Sequence, residues 1–357
     1  MVFHIPYLKW FKENGYQVHV AARNDYEDKN HCKIPFCDEF YDIPFERSPF
    51  KKNNLYAYSK LKRIIEANNY KIIHCHTPIG GALGRIAARE ARKSGTQVVY
   101  TAHGFHFFKG APIKNWLFYY PIERFLARFT DTLITINQED YERAKKSFKA
   151  ERVEYVPGVG IDTEKFSNTI IDKAAKRKEL GIPKDAFVVL SVGELNKNKN
   201  HKTIIKAIAK IDYPGIYYVI CGQGKLEGYL RKLANKLGIV ERVRVLGFRS
   251  DVSEIYKAAD IFALPSYREG LSVSLMEAMA SGLPIVCSDI RGNNDLIKND
   301  KGGYLVNPKN VNDYAKKFLK LIIINQLRMD MINYNLERIN IFSIENILFK
   351  IEKTYFA

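Results

Sequence analysis

Along the chain, short runs of β-branched and aromatic residues alternate with longer stretches whose apolar positions recur every three or four residues. The short runs read as buried strands of a parallel sheet, and the longer ones as amphipathic helices that cover it. In the first half the strands are YQVHVAA, KIIHCHT, TQVVYTAHG and DTLITIN, with helices such as AYSKLKRIIEANN and GALGRIAAREARKSG between them. The alternation breaks at VEYVPGVGIDTEKF, where a strand runs into a Pro/Gly-rich linker. It restarts with FVVLSVGEL and continues through IYYVICGQG, VRVLG, DIFALPS and PIVCSD. Helical stretches separate these strands: HKTIIKAIAKI, KLEGYLRKLANKLG, VSEIYKAA and SVSLMEAMASG. From Asn310 onward almost everything is helical in pattern.

This rhythm predicts an α/β protein of two doubly wound, Rossmann-like domains facing a cleft, with ligand at the carboxyl ends of the strands. The expected extents are 1–165 for the N-terminal domain, 166–335 for the C-terminal domain, and 336–357 for a terminal helix crossing back to the first. The opening departs from the rhythm. MVFHIPYLKWFKENG reads as a helix stopped at Gly15, so the first strand of the N-terminal domain, with the loop after it, is missing from the pattern.

A length of 357 residues suits two cores rather than one. No stretch of 18 apolar residues marks a membrane span. Lys9, Lys12 and Glu13 interrupt the apolar residues that a signal peptide would need. The cysteines Cys32, Cys37, Cys75, Cys221 and Cys287 are odd in number and scattered, which argues for reduced cytosolic thiols over disulfides or zinc. The net charge of +17 calls for an anionic partner. Between Arg47 and Arg128 there are fifteen Lys/Arg against three Glu and no Asp, so the surplus is concentrated in the first domain. A nucleic-acid partner fits the charge, but no zinc finger, RNP-like sequence or basic helical arm accompanies it.

The chemistry-bearing stretch is SYREGLSVSLMEAMASGLPIVCSD, from Ser266 to Asp289. A strand leads into a turn at Gly270, Ser272 or Ser274 starts a helix, and Gly282 with Pro284 ends it. The backbone N–H groups of Leu271 and Ser272 then lie at a positive helix end, an anion site suited to a diphosphate. Glu269 precedes that site, and Glu277 lies about a turn and a half into the helix. Hydroxyls of a hexose for Glu269 and of a ribose for Glu277 would satisfy both acids. The plain alternative is two acids favoured by the helix dipole. CGQGKLEG does not complete a dinucleotide fingerprint, because Glu227 stands where the third glycine belongs; a strand-to-helix turn is the simpler reading.

These residues resemble the retaining family 4 glycosyltransferases of GT-B fold. EGLSVSLMEAMASGLPIVCSD is similar to the family's pair of glutamates separated by seven residues, YVPGVGIDTEKF to its linker, and LSVGELNKNKNHKTIIKAI to its donor-phosphate loop. HCHTPIGGALGRIAAR and the segment from YTAHGFHF to DTLITIN resemble a narrower branch that builds bacterial capsular or exopolysaccharide repeat units on lipid carriers.

The resemblance implies that Glu277 holds the nucleotide ribose and that Glu269 contacts the transferred sugar. It puts the diphosphate on Gly270, Leu271 and Ser272, and Lys199, or Lys197 in its place, against the phosphate charge. Arg249 joins the donor side. His103 stands near the transferred sugar, and His106, Lys109 and Arg85 are placed on the acceptor side. The donor is expected to be a UDP-sugar carrying a hexose or N-acetylhexosamine, and the acceptor a saccharide on undecaprenyl diphosphate. No cofactor and no metal are expected. The chain carries GEL where many relatives carry GRL, so Glu194 replaces a cation near the phosphates.

FHFFKGAPIKNWLFYYPIERFLARF mixes aromatics with Lys109, Lys114, Arg124 and Arg128, a composition suited to an anionic membrane surface. The expected location is therefore the inner face of the plasma membrane. Two rival readings share the scaffold. One is a sugar-nucleotide epimerase, which would lack the combined loop and glutamate pair. The other is an inactive or truncated homologue, which the missing strand would allow.

Overall fold

In the computed structural model, residues 4–25 and 33–356 are described, and the chain divides into Met1–Gly160 with Ile347–Ala357, and Ile161–Asn346. Among the described residues, the β-branched runs of the first unit form the strands His19–Ala22 (β1), Glu39–Asp42 (β2), Ile72–His76 (β3), Gln97–Ala102 (β4), Thr132–Thr135 (β5) and Arg152–Tyr155 (β6). β3, β4, β5 and β6 make one parallel sheet in chain order, and β1 pairs with β2 in a separate two-stranded one. Among the described residues no strand precedes the helix Ile5–Glu13. That helix carries proline in its first turn, where a missing N–H costs nothing, and Gly15 follows it at φ 78°.

Val99, Ile134 and Val156 of the first unit pack against Ile347, Ile351 and Tyr355 of the terminal helix Ile344–Phe356. The return to the first unit thus falls at Ile347, later than 336. The preceding helix, Asn325–Ile339, is tied to the second unit by side chains. The Asn335 amide donates to the Leu283 and Gly302 carbonyls at 2.8 Å each, and the Arg338 guanidinium to those of Asp295 and Leu296 at 2.7 Å each.

The second unit holds Phe187–Val192 (β7), Ile216–Cys221 (β8), Val243–Gly247 (β9), Ile261–Leu264 (β10), Ile285–Ser288 (β11) and Gly303–Val306 (β12). They form one sheet in the order β12-β11-β10-β7-β8-β9, with every pairing parallel. The chain winds outward from β7 to β9, returns to β10 beside β7, and winds outward the other way. The loops leaving β7 and β10 meet at this reversal, the place where open α/β sheets hold their ligands. Both faces of the sheet are covered: Val189, Ile220, Ala263 and Val286 share a buried cluster with Ile204, Ile208 and Phe318 from helices, and Val188, Leu190, Phe262 and Cys287 are buried on the opposite face.

Cys75, Cys221 and Cys287 are buried free thiols, Cys37 donates to the Glu39 carbonyl, and Cys32 lies outside the described residues. No helix among the described residues is long and apolar enough to cross a membrane.

Candidate functional site

The loop after β7 is shaped by glycine. Gly193 has φ 155°, and its N–H donates to the Cys221 carbonyl at 2.9 Å. Gly222 comes so close that a Cβ there would lie 1.9 Å from the Gly193 carbonyl oxygen. A Cβ on Gly224 would meet the Leu195 carbonyl oxygen at 2.6 Å. The CGQG glycines therefore let two backbones interlock at the strand ends, which is the structural turn expected of them.

The β7 loop is also zipped to the β10 loop. Tyr267 N–H donates to the Asn198 carbonyl, and the Asn198 amide to the Arg268 carbonyl, both at 2.9 Å. Asn200, in the left-handed region at φ 55°, donates to the Pro265 and Pro308 carbonyls at 3.0 and 2.9 Å. Two loops from the reversal point thus hold each other, and each delivers one charge. Lys199 Nζ lies 2.7 Å from Glu269 Oε1, with side chains only 19% and 13% exposed.

After Glu269 the chain passes Gly270 and enters the helix Val273–Ala280. Ser272 caps it, its hydroxyl accepting from Leu275 N–H, and Gly282 at φ 74° closes it. The Gly270 carbonyl is approached by Gly292, where a Cβ would lie 2.2 Å from it. Arg291, just before, reaches the Glu269 carbonyl. Glu277 is half-buried one turn into the helix, with the Tyr256 hydroxyl 3.0 Å from Oε2. Burial raises its carboxyl to about 7, against the opposing pull of Tyr256 and Lys165. The two glutamates are thereby kept distinct: one ion-paired at the loop, the other in the helix with its carboxyl raised by burial.

The remaining donor-side residues are less uniform. Glu194 turns toward Asn196, whose amide donates to it at 2.9 Å, while Asn196 Oδ1 accepts from Lys199 N–H at 3.0 Å. Glu194 thus has its partner within its own loop while remaining exposed, as Lys197 is. Arg249 is held by Asp251 through Nε at 2.7 Å and by Glu179 through Nη2 at 2.6 Å, so its charge is already balanced by two carboxylates.

In the first unit, His103 follows β4, and its Nε2 lies 3.2 Å from His76 Nδ1. His106 stacks on Tyr119 with ring centroids 4.6 Å apart. Lys109 N–H donates to Glu139 at 2.7 Å. Arg85 corrects the sequence reading. It is 0% exposed, donates to the Gly81 carbonyl and to Glu123 at 2.8 Å each, and lies over the Tyr100 ring at 3.8 Å. A guanidinium closed in this way joins two helices and cannot reach an acceptor. The local sequence does not show that Glu123, far along the chain, is its partner.

Sequence reading also missed Tyr256, Arg291 and the histidines around His103. The alternation in HCH was the available signal, since residues two apart on a strand share a face.

The description "Glycosyl transferases group 1" matches residues 172–338, and "Glycosyl transferase 4-like" matches residues 1–137. A Bacillus subtilis protein named "Putative glycosyltransferase EpsD" is 43% identical over 323 residues, covering 89% of this chain and 83% of its own. The chain belongs to the group 1, family 4-like glycosyltransferases. A second relative of this glycosyltransferase is the Escherichia coli "UDP-Gal:alpha-D-GlcNAc-diphosphoundecaprenol alpha-1,3-galactosyltransferase", 32% identical over 302 residues, 83% of this chain and 77% of its own. The fold is GT-B: the structure of Anabaena HepE with UDP and glucose superposes with TM-score 0.82 at 21% identity, over 99% of this chain and 95% of the other.

Proposed function

We propose that this glycosyltransferase moves a hexose or N-acetylhexosamine, with retention, from a UDP-sugar to a saccharide on undecaprenyl diphosphate, in the synthesis of a bacterial surface polysaccharide. One observation carries the reading: Lys199 and Glu269 meet at 2.7 Å where the β7 and β10 loops converge, beside a Ser272-capped helix start. A leaving nucleoside diphosphate needs cations and N–H donors as its charge develops, and Lys199 with the N–H groups of Leu271 and Ser272 supplies them. The ammonium exchanges Glu269 for phosphate when donor binds, which releases Glu269 to accept from sugar hydroxyls. Glu277 accepts from the ribose. Charge supplied in this way makes a metal at the diphosphate unnecessary. Retention is assigned to the departing phosphate, which assists the incoming hydroxyl on the same face while the protein positions both. His103 works beside the transferred sugar, with His106 and Lys109 on the acceptor side. The UDP donor and lipid-diphosphate acceptor are supported by the name of the Escherichia coli relative.

Membrane docking is supported by the helix Ile113–Leu126. Ile113 and Leu117 are 78% and 72% exposed, Phe118 and Phe125 are also exposed, and Phe50 lies beside Phe118 at a centroid distance of 6.0 Å. Lys114 and Arg124 are exposed on the same helix, among these apolar side chains. Exposed apolar residues interspersed with cations fit an anionic bilayer surface, here the cytoplasmic leaflet of the plasma membrane.

The test is a screen of UDP-sugars for acceptor-dependent UDP release, with Glu269→Ala and Glu277→Ala as controls. Full turnover in both variants would remove the site, and isomerised sugar nucleotide without UDP release would favour an epimerase. Flotation with vesicles containing anionic lipid tests docking. Leu117→Glu/Phe118→Glu is expected to abolish it, and binding that survives that change would refute the assigned face.

A further inference from the structure

His76 closes β3 and His103 follows the neighbouring strand β4, so parallel pairing brings the two rings together at the strand ends. His4 approaches from the residue before the helix Ile5–Glu13, with its ring centroid 4.2 Å from that of His76 and 6.1 Å from that of His103. One nitrogen from each of the three lies within 4.8 Å of the others. Among the described residues, no other three His, Cys, Asp or Glu side chains gather in this way. The arrangement is therefore local to this corner of the fold.

A fourth ring forms the wall. The His74 ring lies against that of His76, tilted, with centroids 4.1 Å apart, and both of its nitrogens are engaged, Nδ1 by the Tyr355 hydroxyl and Nε2 by Thr101 Oγ1. It supports the others and offers no ligand atom. Thr77 follows His76 at φ 63° and ψ 156°, a backbone conformation almost confined to glycine. Strain of that kind persists where the surroundings over-determine a position, and here it fixes the end of β3.

Three imidazoles packed this closely cannot hold protons together. Neutral imidazoles are ligands. Zn–N bonds of about 2.0–2.1 Å in a tetrahedron set two nitrogens about 3.3 Å apart. His76 Nδ1 and His103 Nε2 stand at 3.2 Å, so the ring spacing already suits a shared ion.

We propose that His4, His76 and His103 form a three-histidine site for a divalent late-transition metal of the Zn2+ class, with its fourth position open to water. In the metal-free state one proton lies between His76 Nδ1 and His103 Nε2. On metal binding that proton moves to the other nitrogen of its own ring, so both facing nitrogens present lone pairs and no charge is lost. Borderline ions favour imidazole, whereas Mg2+ and Ca2+ favour oxygen, so this site selects against the latter. An ion bound here takes the Nε2 lone pair of His103. Occupancy therefore competes with any use of that nitrogen by substrate, and the metal acts as an inhibitor rather than a cofactor.

The experiment uses the full chain without a histidine tag. Equilibrium dialysis against Zn2+ is expected to give one bound ion per chain, and Co2+ to give the visible bands of a tetrahedral complex. His4→Ala is the decisive variant because His4 belongs to neither sheet, and circular dichroism checks its fold. It is expected to weaken Zn2+ binding by at least about 100-fold, as does loss of a group that holds a metal site together. His19→Ala, outside the cluster, is expected to leave binding unchanged. Absence of stoichiometric Zn2+ binding, or binding that survives His4→Ala, overturns the site. The readout is binding alone, so it stands or falls separately from the proposed transfer reaction.

Discussion

Replacing Glu277 by glutamine separates what the donor site needs from what the fold prefers. Burial raises the Glu277 carboxyl from 4.5 to about 7. A carboxyl raised in this way holds its proton more tightly in the folded chain than in the unfolded one. Its contribution to stability is fully present below 4.5 and is lost as pH rises through about 7. At ~1.4 kcal/mol per pH unit, ionised Glu277 costs about 3 kcal/mol near pH 8 and under about 1 kcal/mol near pH 5. Glutamine keeps an oxygen for the Tyr256 hydroxyl, which lies 3.0 Å from Oε2, and carries no charge. Glu277→Gln is therefore expected to raise the unfolding free energy by about 2–3 kcal/mol near pH 8 and to change it little near pH 5. Urea denaturation at the two pH values measures this. Donor binding moves the other way. A hydroxyl that donated to a carboxylate loses about 1.5–3 kcal/mol, so KM for the UDP-sugar rises roughly 10- to 100-fold. A variant less stable than the parent near pH 8 would refute the burial argument. An unchanged KM would refute the ribose assignment, whatever the stability.

Lys199→Met is expected to lower kcat/KM by about 100-fold or more, because the leaving diphosphate loses its cation and Glu269 loses its partner; Lys199→Arg should recover part of it, and equal loss in both would argue against a charge role. Gly292→Ala forces a Cβ to 2.2 Å from the Gly270 carbonyl at φ 82°, so thermal unfolding should drop with donor affinity, whereas Gly15→Ala, with open space around it at φ 78°, should cost only about 1 kcal/mol. Glu123→Ala leaves the fully buried Arg85 uncompensated and should cost about 3–5 kcal/mol, while Arg85→Met/Glu123→Leu should recover most of that; an inert Glu123→Ala in denaturant melts would show that the pair is solvated.

How much of the site was legible varies residue by residue. Glu269, Ser272 and Glu277 sit on one strand-turn-helix unit, so their spacing was readable from the turn at Gly270 and the helix period. Lys199 lies in another such unit, and its loop was identifiable by its place after a strand. Its 2.7 Å contact with Glu269 was not, because the residues are 70 apart and are brought together by the parallel pairing of β7 with β10 and the hydrogen bonds between their loops. Arg85 failed as an acceptor residue for the same reason in reverse. Its sequence neighbourhood shows a basic helix face, and the partner that buries it is 38 residues away.

The sequence by itself determined the alternating α/β architecture, the helix at the opening, and the acids and glycines at the end of β10. These are local matters of periodicity, capping and backbone conformation, and neighbours along the chain settle them. Tertiary structure alone decided which charges meet. It paired Lys199 with Glu269, drew Glu194 into its own loop, enclosed Arg85, and gathered His4, His76 and His103 at the ends of β3 and β4. Pairing between distant strands sets those distances, and no window of sequence contains both partners.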